Sequence, residues 1–192
     1  MSRLHLVFKW STEGTFESMV KMVAGPMIHV DAVPQAAGKP VGKAYTSYMF
    51  ETFSENDCLY SPIAYTSLTL NITPEEHDSV VEFFRGYVDR KLPYNYSDIM
   101  LCKTPAKYVM KDVVGEPKSV FCSQAMVLCL KQCISSIEGL AVALAPLNSR
   151  TTTPQALYVA LKFFCDGETV LHEDLPQIGR SPPPEPVASG DI

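Results

Sequence analysis

The sequence predicts an α+β fold, because segments with strand character and segments with helix signals come partly in separate runs along the chain. The chain has 192 residues, of which 46% are hydrophobic and 19% charged, enough for one domain with a sizeable core. We predict a single domain over residues 1–178. Residues 179–192 are rich in Pro, Ser and Gly and predict a disordered tail.

Four segments have the residue pattern of β-strands. Residues 3–10 and 67–72 are short runs of strand composition, and residues 27–33 alternate as a half-buried strand does. Residues 44–53 are rich in aromatic and β-branched side chains. A turn-rich link, residues 34–43, joins the second segment to the third and predicts an antiparallel hairpin.

Two helices carry explicit start signals. Thr73 is followed by Pro74 at the first helical position and by Glu76 three residues after the cap, which is the pattern of a capping box. Thr153 and Pro154 mark the start of a second capped helix in the same way.

Two further segments predict helices without such clear caps. Residues 15–24 form a short amphipathic pattern that ends at Gly25. Residues 121–132 (FCSQAMVLCLKQ) carry apolar side chains around most of the helix circumference and contain no Gly or Pro, which is typical of a buried helix. Residues 92–101 between these helical segments are predicted to be a connector.

The charge and hydropathy patterns exclude several classes of function. A formal net charge of −5, with no run of Lys or Arg, argues against nucleic-acid binding. Residues 1–14 lack the continuous apolar core of a signal peptide, and no later window has eighteen uncharged apolar residues. We therefore expect no membrane span and a cytoplasmic protein.

The six cysteines predict free thiols in a reducing compartment. Three of them lie in one helical segment, where they cannot staple distant parts of the chain. No Cys-x-x-Cys motif and no pair of histidines at zinc-ligand spacing is present, so we expect no metal and no cofactor.

Cys122 stands at the start of the buried helix, and its position suggests either a nucleophile or a small apolar filler. The first N–H groups of a helix have no intrahelical partner, and the macrodipole places its positive end there, so a thiolate is favoured. Cys129 and Cys133 lie further along the same helix among apolar neighbours and are expected to be inert.

His29 is the candidate base for such a nucleophile. Period-two alternation places His29 and Asp31 on one face of the second strand, whereas His5, His77 and His172 lie where structural or surface roles are expected. If the hairpin folds about position 40, His29 lies directly opposite Glu51, whose carboxylate then orients the imidazole. Asp31 is the alternative, and a core histidine without catalytic role remains open.

The order and spacing of these motifs resemble the circularly permuted branch of the papain-like NlpC-type cysteine hydrolases, which includes relatives of lecithin:retinol acyltransferase. The similar segments are IHVDAV, MFETF, YNYSDI, FCSQAMV and TTTPQALYVAL, which together span roughly residues 26–161. The sequence departs from the family pattern at Asp31, where the family usually has Gly.

The resemblance implies a permuted papain-like fold, in which an antiparallel sheet packs against a central helix that carries the cysteine at its N-terminus. It also implies that Cys122 is the nucleophile, His29 the general base and Glu51 the residue that orients His29.

The expected function is therefore a cysteine hydrolase of the peptidase or amidase kind that cleaves an amide, isopeptide, ester or thioester bond through an acyl-enzyme. Its partner is expected to be a peptide, protein or acyl substrate. Two alternatives remain, a catalytically silent papain-like binding module and a lipid acyltransferase or thioesterase on the same fold. The sequence does not indicate the oligomeric state.

Overall fold

The computed structural model describes residues 1–10, 25–48, 51–56, 65–102, 104–165 and 168–169. Over these residues the protein has an α+β fold, as predicted, with one antiparallel sheet and several helices. No helix within them is both long and apolar enough to cross a membrane. The predicted helix at residues 15–24 and the predicted tail at residues 179–192 lie outside the described part of the chain.

The sheet has the strand order β4-β3-β2-β1-β5, and the two-residue strand β6 extends it at the β5 edge. All neighbouring strands are antiparallel. The first strand lies in the middle, where Leu6 pairs with Ala32 on one side and with Leu68 on the other. The strands are β1 Ser2–Trp10, β2 Met27–Gln35, β3 Ala44–Thr46, β4 Ser54–Asn56, β5 Tyr65–Ile72 and β6 Glu168–Thr169.

The helices follow the main strands and cover one face of the sheet. The helix Cys122–Cys133, here α3, packs on β2, on α1 (Pro74–Asp89) and on α5 (Pro154–Leu161), so it is central to the helical layer. The helices are α1 Pro74–Asp89, α2 Tyr96–Leu101, α3 Cys122–Cys133, α4 Leu140–Leu144 and α5 Pro154–Leu161, with a 3-10 turn at Pro105–Tyr108.

The core lies mainly between the sheet and α3. Leu6 and Phe8 of β1 point to this side and join Met126 and Leu130 of α3 in one cluster. All residues of α3 from 122 to 130 are buried, which confirms the prediction of a buried helix. Side chains that alternate with these on the opposite face, such as Val7, form a smaller second cluster.

The predicted helix caps are confirmed. Glu76 N–H donates to Thr73 Oγ1 at 3.1 Å, and the Glu76 carboxylate accepts from Thr73 N–H at 3.0 Å. Helix α5 starts after Thr153, whose side chain accepts from Ala156 N–H at 3.2 Å. Both caps satisfy backbone donors that the helices leave without partners.

Two predictions about element bounds were wrong. The segment at residues 44–53 does not form one strand, because β3 ends at Thr46 and a separate strand β4 begins at Ser54. Residues 92–101 were predicted to be a connector, but they contain helix α2, which starts after Asn95. The Asn95 side chain accepts from Asp98 N–H at 3.1 Å and so caps this short helix.

Candidate active site

Helix α3 begins with Cys122 at its first position, as the sequence predicted, and Phe121 is its N-cap residue. The Phe121 side chain has no oxygen that can accept a hydrogen bond from the first turn. The first intrahelical bond runs from Ala125 N–H to Phe121 C=O at 3.0 Å. The N–H groups of the first turn therefore keep their donor capacity beside the Cys122 sulfur.

His29 lies in the middle of β2 and is only 6% exposed. Its Nε2 atom is 2.7 Å from Asp31 Oδ1 and 2.9 Å from Thr46 Oγ1. A carboxylate can only accept a hydrogen bond, so Nε2 carries the proton and donates to Asp31. Asp31 is itself 1% exposed, and this pair is the buried ion pair of the site when the imidazole is charged.

The structure brings Cys122 and His29 together. Burial on its own lowers the pKa of His29, but the negative charges of Asp31 and Cys122, together with hydrogen bonds to both, raise that pKa to about 10. Because Nε2 is directed at Asp31 and Thr46, Nδ1 is the ring nitrogen that remains for the sulfur. The three side chains thus form a chain of thiol, imidazole and carboxylate.

Tyr48 covers one face of the imidazole. Its ring is stacked on His29 with 4.3 Å between the centroids and 14° between the planes. The ring is partly open to solvent, and burial together with the charge of Asp31 raises the pKa of its hydroxyl. Tyr94 lies near Cys122. Burial is the main cause that raises the pKa of the Tyr94 hydroxyl, and the charge of Cys122 is the second.

The predicted contact between Glu51 and His29 was wrong. Glu51 is exposed in a bend, where its N–H donates to Tyr48 C=O at 3.2 Å. The hairpin pairs Ala32 with Tyr45, and this register, if continued, places position 48 rather than position 51 opposite His29. The observed stacking of Tyr48 on His29 agrees with that register.

Sequence reasoning missed Thr46 and Tyr48 and placed Asp31 second. Asp31 shares a face with His29 because the two are separated by one residue on β2, and this alternation was a sufficient signal for the pair. Thr46 and Tyr48 had no comparable local signal. Their contact with His29 depends on the hairpin register, which residues 34–43 do not specify.

The other described histidines have structural partners. His5 Nδ1 is 2.9 Å from Thr69 Oγ1 and its Nε2 is 3.0 Å from Gln35 Oε1. His77 Nδ1 is 2.9 Å from Asp78 Oδ1 at the start of α1. These contacts agree with the roles expected from the sequence, whereas His172 lies outside the described residues.

The cysteines at the far end of α3 differ from the expectation in one respect. Cys129 is 1% exposed, and burial raises the pKa of its thiol, in agreement with an inert residue. Cys133, however, is only half-buried and lines an open groove of about 800 Å³ between α1, residues 113–117 and the end of α3. Phe83, Tyr87 and Arg90 also line this groove, and no histidine does so among its described residues.

Comparisons with family models, with curated proteins and with solved structures find no match for this chain.

Proposed function

We propose that the protein is a cysteine hydrolase that forms an acyl-enzyme on Cys122. The observation that carries this proposal is the chain of contacts from the Cys122 thiol through His29 to the buried carboxylate of Asp31. A nucleophile, a base and a group that orients the base are the three parts that such chemistry requires. Asp31, and not Glu51, takes the orienting role in this proposal.

The reaction follows from the position of each proton. The Cys122 thiolate attacks the substrate carbonyl carbon, and the N–H groups at the start of α3 donate to the oxygen that becomes negative. The His29 imidazolium then gives its Nδ1 proton to the leaving amine or alkoxide as the carbon–leaving-group bond breaks. Neutral His29 next takes a proton from water, which attacks the thioester, releases the acid and restores the thiolate and imidazolium.

The Asp31 carboxylate holds Nε2–H through both steps. This hydrogen bond fixes the tautomer in which Nδ1 is the atom that exchanges protons, and the carboxylate charge stabilises the imidazolium. Thr46 Oγ1 lies against the same nitrogen and limits rotation of the ring. The ring is therefore oriented before a substrate arrives.

The permuted papain-like arrangement remains part of the proposal. It is supported by the antiparallel sheet that packs on α3 and by the chain order in which the histidine strand precedes the cysteine helix. The substrate class that we favour is a peptide or another amide. Cys122 is fully buried and Tyr48 covers His29, so a substrate must displace part of this cover before reaction.

The test measures reactivity at each thiol in the folded protein. We expect iodoacetamide to modify Cys122 faster than Cys133 or Cys165, and p-nitrophenyl acetate to give a burst of one p-nitrophenol per chain. Cys122→Ser should lose the burst, and Cys133→Ser is the matched control on the same helix, which should keep it. Modification of Cys122 no faster than that of Cys165, with no burst, would contradict the proposal.

A second candidate function is a catalytically silent binding module on the same fold. The complete burial of Cys122 favours it, because a working nucleophile must become accessible. The two functions differ in the behaviour of Cys122 towards iodoacetamide below pH 7. A thiolate paired with His29 stays reactive there, whereas a thiol that only fills space does not.

A further inference from the structure

A chain of hydrogen-bonded polar side chains runs from the surface to the start of α3. These side chains take no part in the proposed reaction. We call Arg150, Asp98, Asn95 and Gln124 the relay. Arg150 Nε and Nη2 donate to the two carboxylate oxygens of Asp98, both at 2.8 Å. Asn95 Nδ2 donates to Asp98 Oδ2 at 2.8 Å and to Gln124 Oε1 at 3.2 Å. The relay thus links two loops and α2 to the first turn of α3.

The last contact of the relay reaches the helix N-cap. Gln124 Oε1 accepts from Phe121 N–H at 3.3 Å, so the side chain at the third helical position holds the backbone just before Cys122. Ser123 Oγ adds a second attachment by donating to Thr152 C=O at 2.7 Å. The start of α3 is therefore held from both residues that follow Cys122.

Three of the four relay residues are buried, unlike the members of a hydrogen-bond network on the protein surface. Gln124 is 1% exposed, Asp98 3% and Asn95 9%. A buried carboxylate carries a large desolvation cost unless it is paired and fully hydrogen-bonded. Asp98 meets this condition through the two-pronged contact with Arg150, which is the strongest geometry for such a pair.

The relay takes the place of a side-chain cap at the start of α3. Most helices are capped by Ser, Thr, Asp or Asn, whose oxygen accepts from the second or third N–H of the helix. Phe121 cannot do this, so no N-cap side chain occupies these N–H groups, and within the described part of the chain they can donate towards Cys122 and a bound substrate oxygen. The relay fixes the first turn from the other side and leaves these donors unused.

We propose that the relay is a positioning device, in which Arg150, Asp98, Asn95 and Gln124 aim the free N–H groups of α3 at the oxyanion formed on Cys122. This inference rests on the proposed function. None of the four side chains touches the reacting atoms. Removing one contact of the relay should weaken the stabilisation of negative charge beside Cys122 without moving the Cys122 and His29 side chains.

The experiment compares two alkylating reagents at Cys122. Iodoacetate carries a carboxylate that the N–H donors attract, and iodoacetamide has nearly the same size without the charge. We expect the ratio of their rates at Cys122 to fall about three- to tenfold in Gln124→Met, which leaves the net charge unchanged. Arg150→Lys, which keeps the charge but not the two-pronged contact, should give a smaller fall.

Two further measurements separate positioning from stability. Arg90→Ala removes a different ion pair, that of Arg90 with Glu116, on the groove at the C-terminal end of α3, and should leave the ratio unchanged. For p-nitrophenyl acetate, kcat should fall in the relay variants while KM changes less than about twofold, because the lost interaction belongs to the transition state. The unfolding midpoint of each variant is measured alongside.

The inference and the proposed function fail in different ways. If Gln124→Met and Arg150→Lys keep both the wild-type reagent ratio and the wild-type kcat, the relay has no positioning role and the inference is overturned. If instead Cys122→Ser hydrolyses the ester as fast as wild type, the proposed function fails, and the reagent ratio at Cys122 in the relay variants still decides whether the relay aims the N–H groups.

Discussion

The two ends of helix α3 each carry a cysteine, and they differ in what surrounds the sulfur. Cys122 at the first position is fully buried and lies against His29, which is paired with Asp31. Cys133 at the last position is half-buried in an open groove, where its thiol donates to Ser79 C=O at 3.6 Å. Among the described residues, those at the N-terminal end place a thiol, an imidazole and a carboxylate together, whereas those at the C-terminal end line an open groove that includes no histidine.

The groove around Cys133 is not by itself a site for the proposed reaction. A groove offers space for a ligand, but acyl transfer depends on a base and on an oriented charge, and among the described residues these lie at the N-terminal end of α3. The C-terminal end is instead attached to α1 through Glu76, whose carboxylate accepts from Ser135 N–H and Ser136 N–H, each at 2.7 Å. We therefore propose reactivity for the N-terminal end of α3, whereas the contacts of Glu76 stabilise its C-terminal end.

The largest effect is expected for the base. His29→Ala should lower Cys122-dependent ester hydrolysis about 10³- to 10⁴-fold, because it removes the base that contacts Cys122. The measurement is steady-state turnover of p-nitrophenyl acetate. His77→Ala, which removes a surface histidine paired with Asp78, should keep wild-type turnover. Equal losses in the two variants would remove the distinction between the site and the surface.

A smaller loss is expected for the orienting carboxylate. Asp31→Asn should reduce turnover roughly 10²- to 10³-fold, since the amide does not hold the same tautomer or stabilise the imidazolium. Glu51→Gln is the matched control and should leave turnover within about twofold. The opposite pattern, with the loss in Glu51→Gln, would restore the pairing expected from the sequence.

Stability should depend on pH through His29. Burial lowers the pKa of His29, but Asp31 and Cys122 outweigh burial and raise it to about 10, above the unfolded value of 6.5. The charged ring therefore stabilises the folded state fully below pH 6.5, and this stabilisation is lost as the pH rises towards 10. Urea unfolding should show a loss of up to about 5 kcal/mol across this window. His29→Gln should flatten the slope.

The smallest effect is expected at the C-terminal end of α3. Glu76→Gln should lower the free energy of unfolding by about 1–2 kcal/mol, because an amide oxygen accepts less strongly than the carboxylate. Burial raises the pKa of Glu76, but hydrogen bonds from Thr73, Ser135 and Ser136 lower it below the usual value of 4.5, so the loss should be full above pH 4.5 and should shrink as the pH falls below 4.5.

The control for this change is Glu75→Gln, which alters an exposed carboxylate in the same turn of α1 and should have little effect on unfolding. Alkylation of Cys122 should be the same in both variants. A change in Cys122 alkylation in Glu76→Gln would mean that the two ends of α3 are coupled and not independent.

The parts of the fold that could be predicted from the sequence have local signals. The capping box at Thr73 and Glu76 lies within four residues, and the buried helix at Cys122 is evident from its own apolar pattern. The pairing of β2 with β3 was also predictable as a hairpin. Its register was not, because the ten residues of the link are not a tight turn that fixes which residues face each other.

The residues of the candidate site likewise fall into those that have a local signal in the sequence and those that do not. Cys122 and His29 were identified from position and residue type, and their proximity agrees with the expectation. The relay was not identified, because Asp98 and Arg150 are separated by 52 positions and the helix that carries Asp98 is only six residues long. Contacts of this kind depend on the tertiary fold and leave no periodic signal.

The central place of β1 has a consequence for synthesis of the chain. This strand precedes both of its partners, β2 and β5, in the chain, so its second edge is paired only after Leu68 of β5 has been synthesised. Until then the apolar strand exposes backbone N–H and C=O groups that have no strand partner. Segments of this kind aggregate or are bound by chaperones. Assembly of the sheet therefore depends on contacts between residues that are far apart in the sequence. Slow folding follows from that topology.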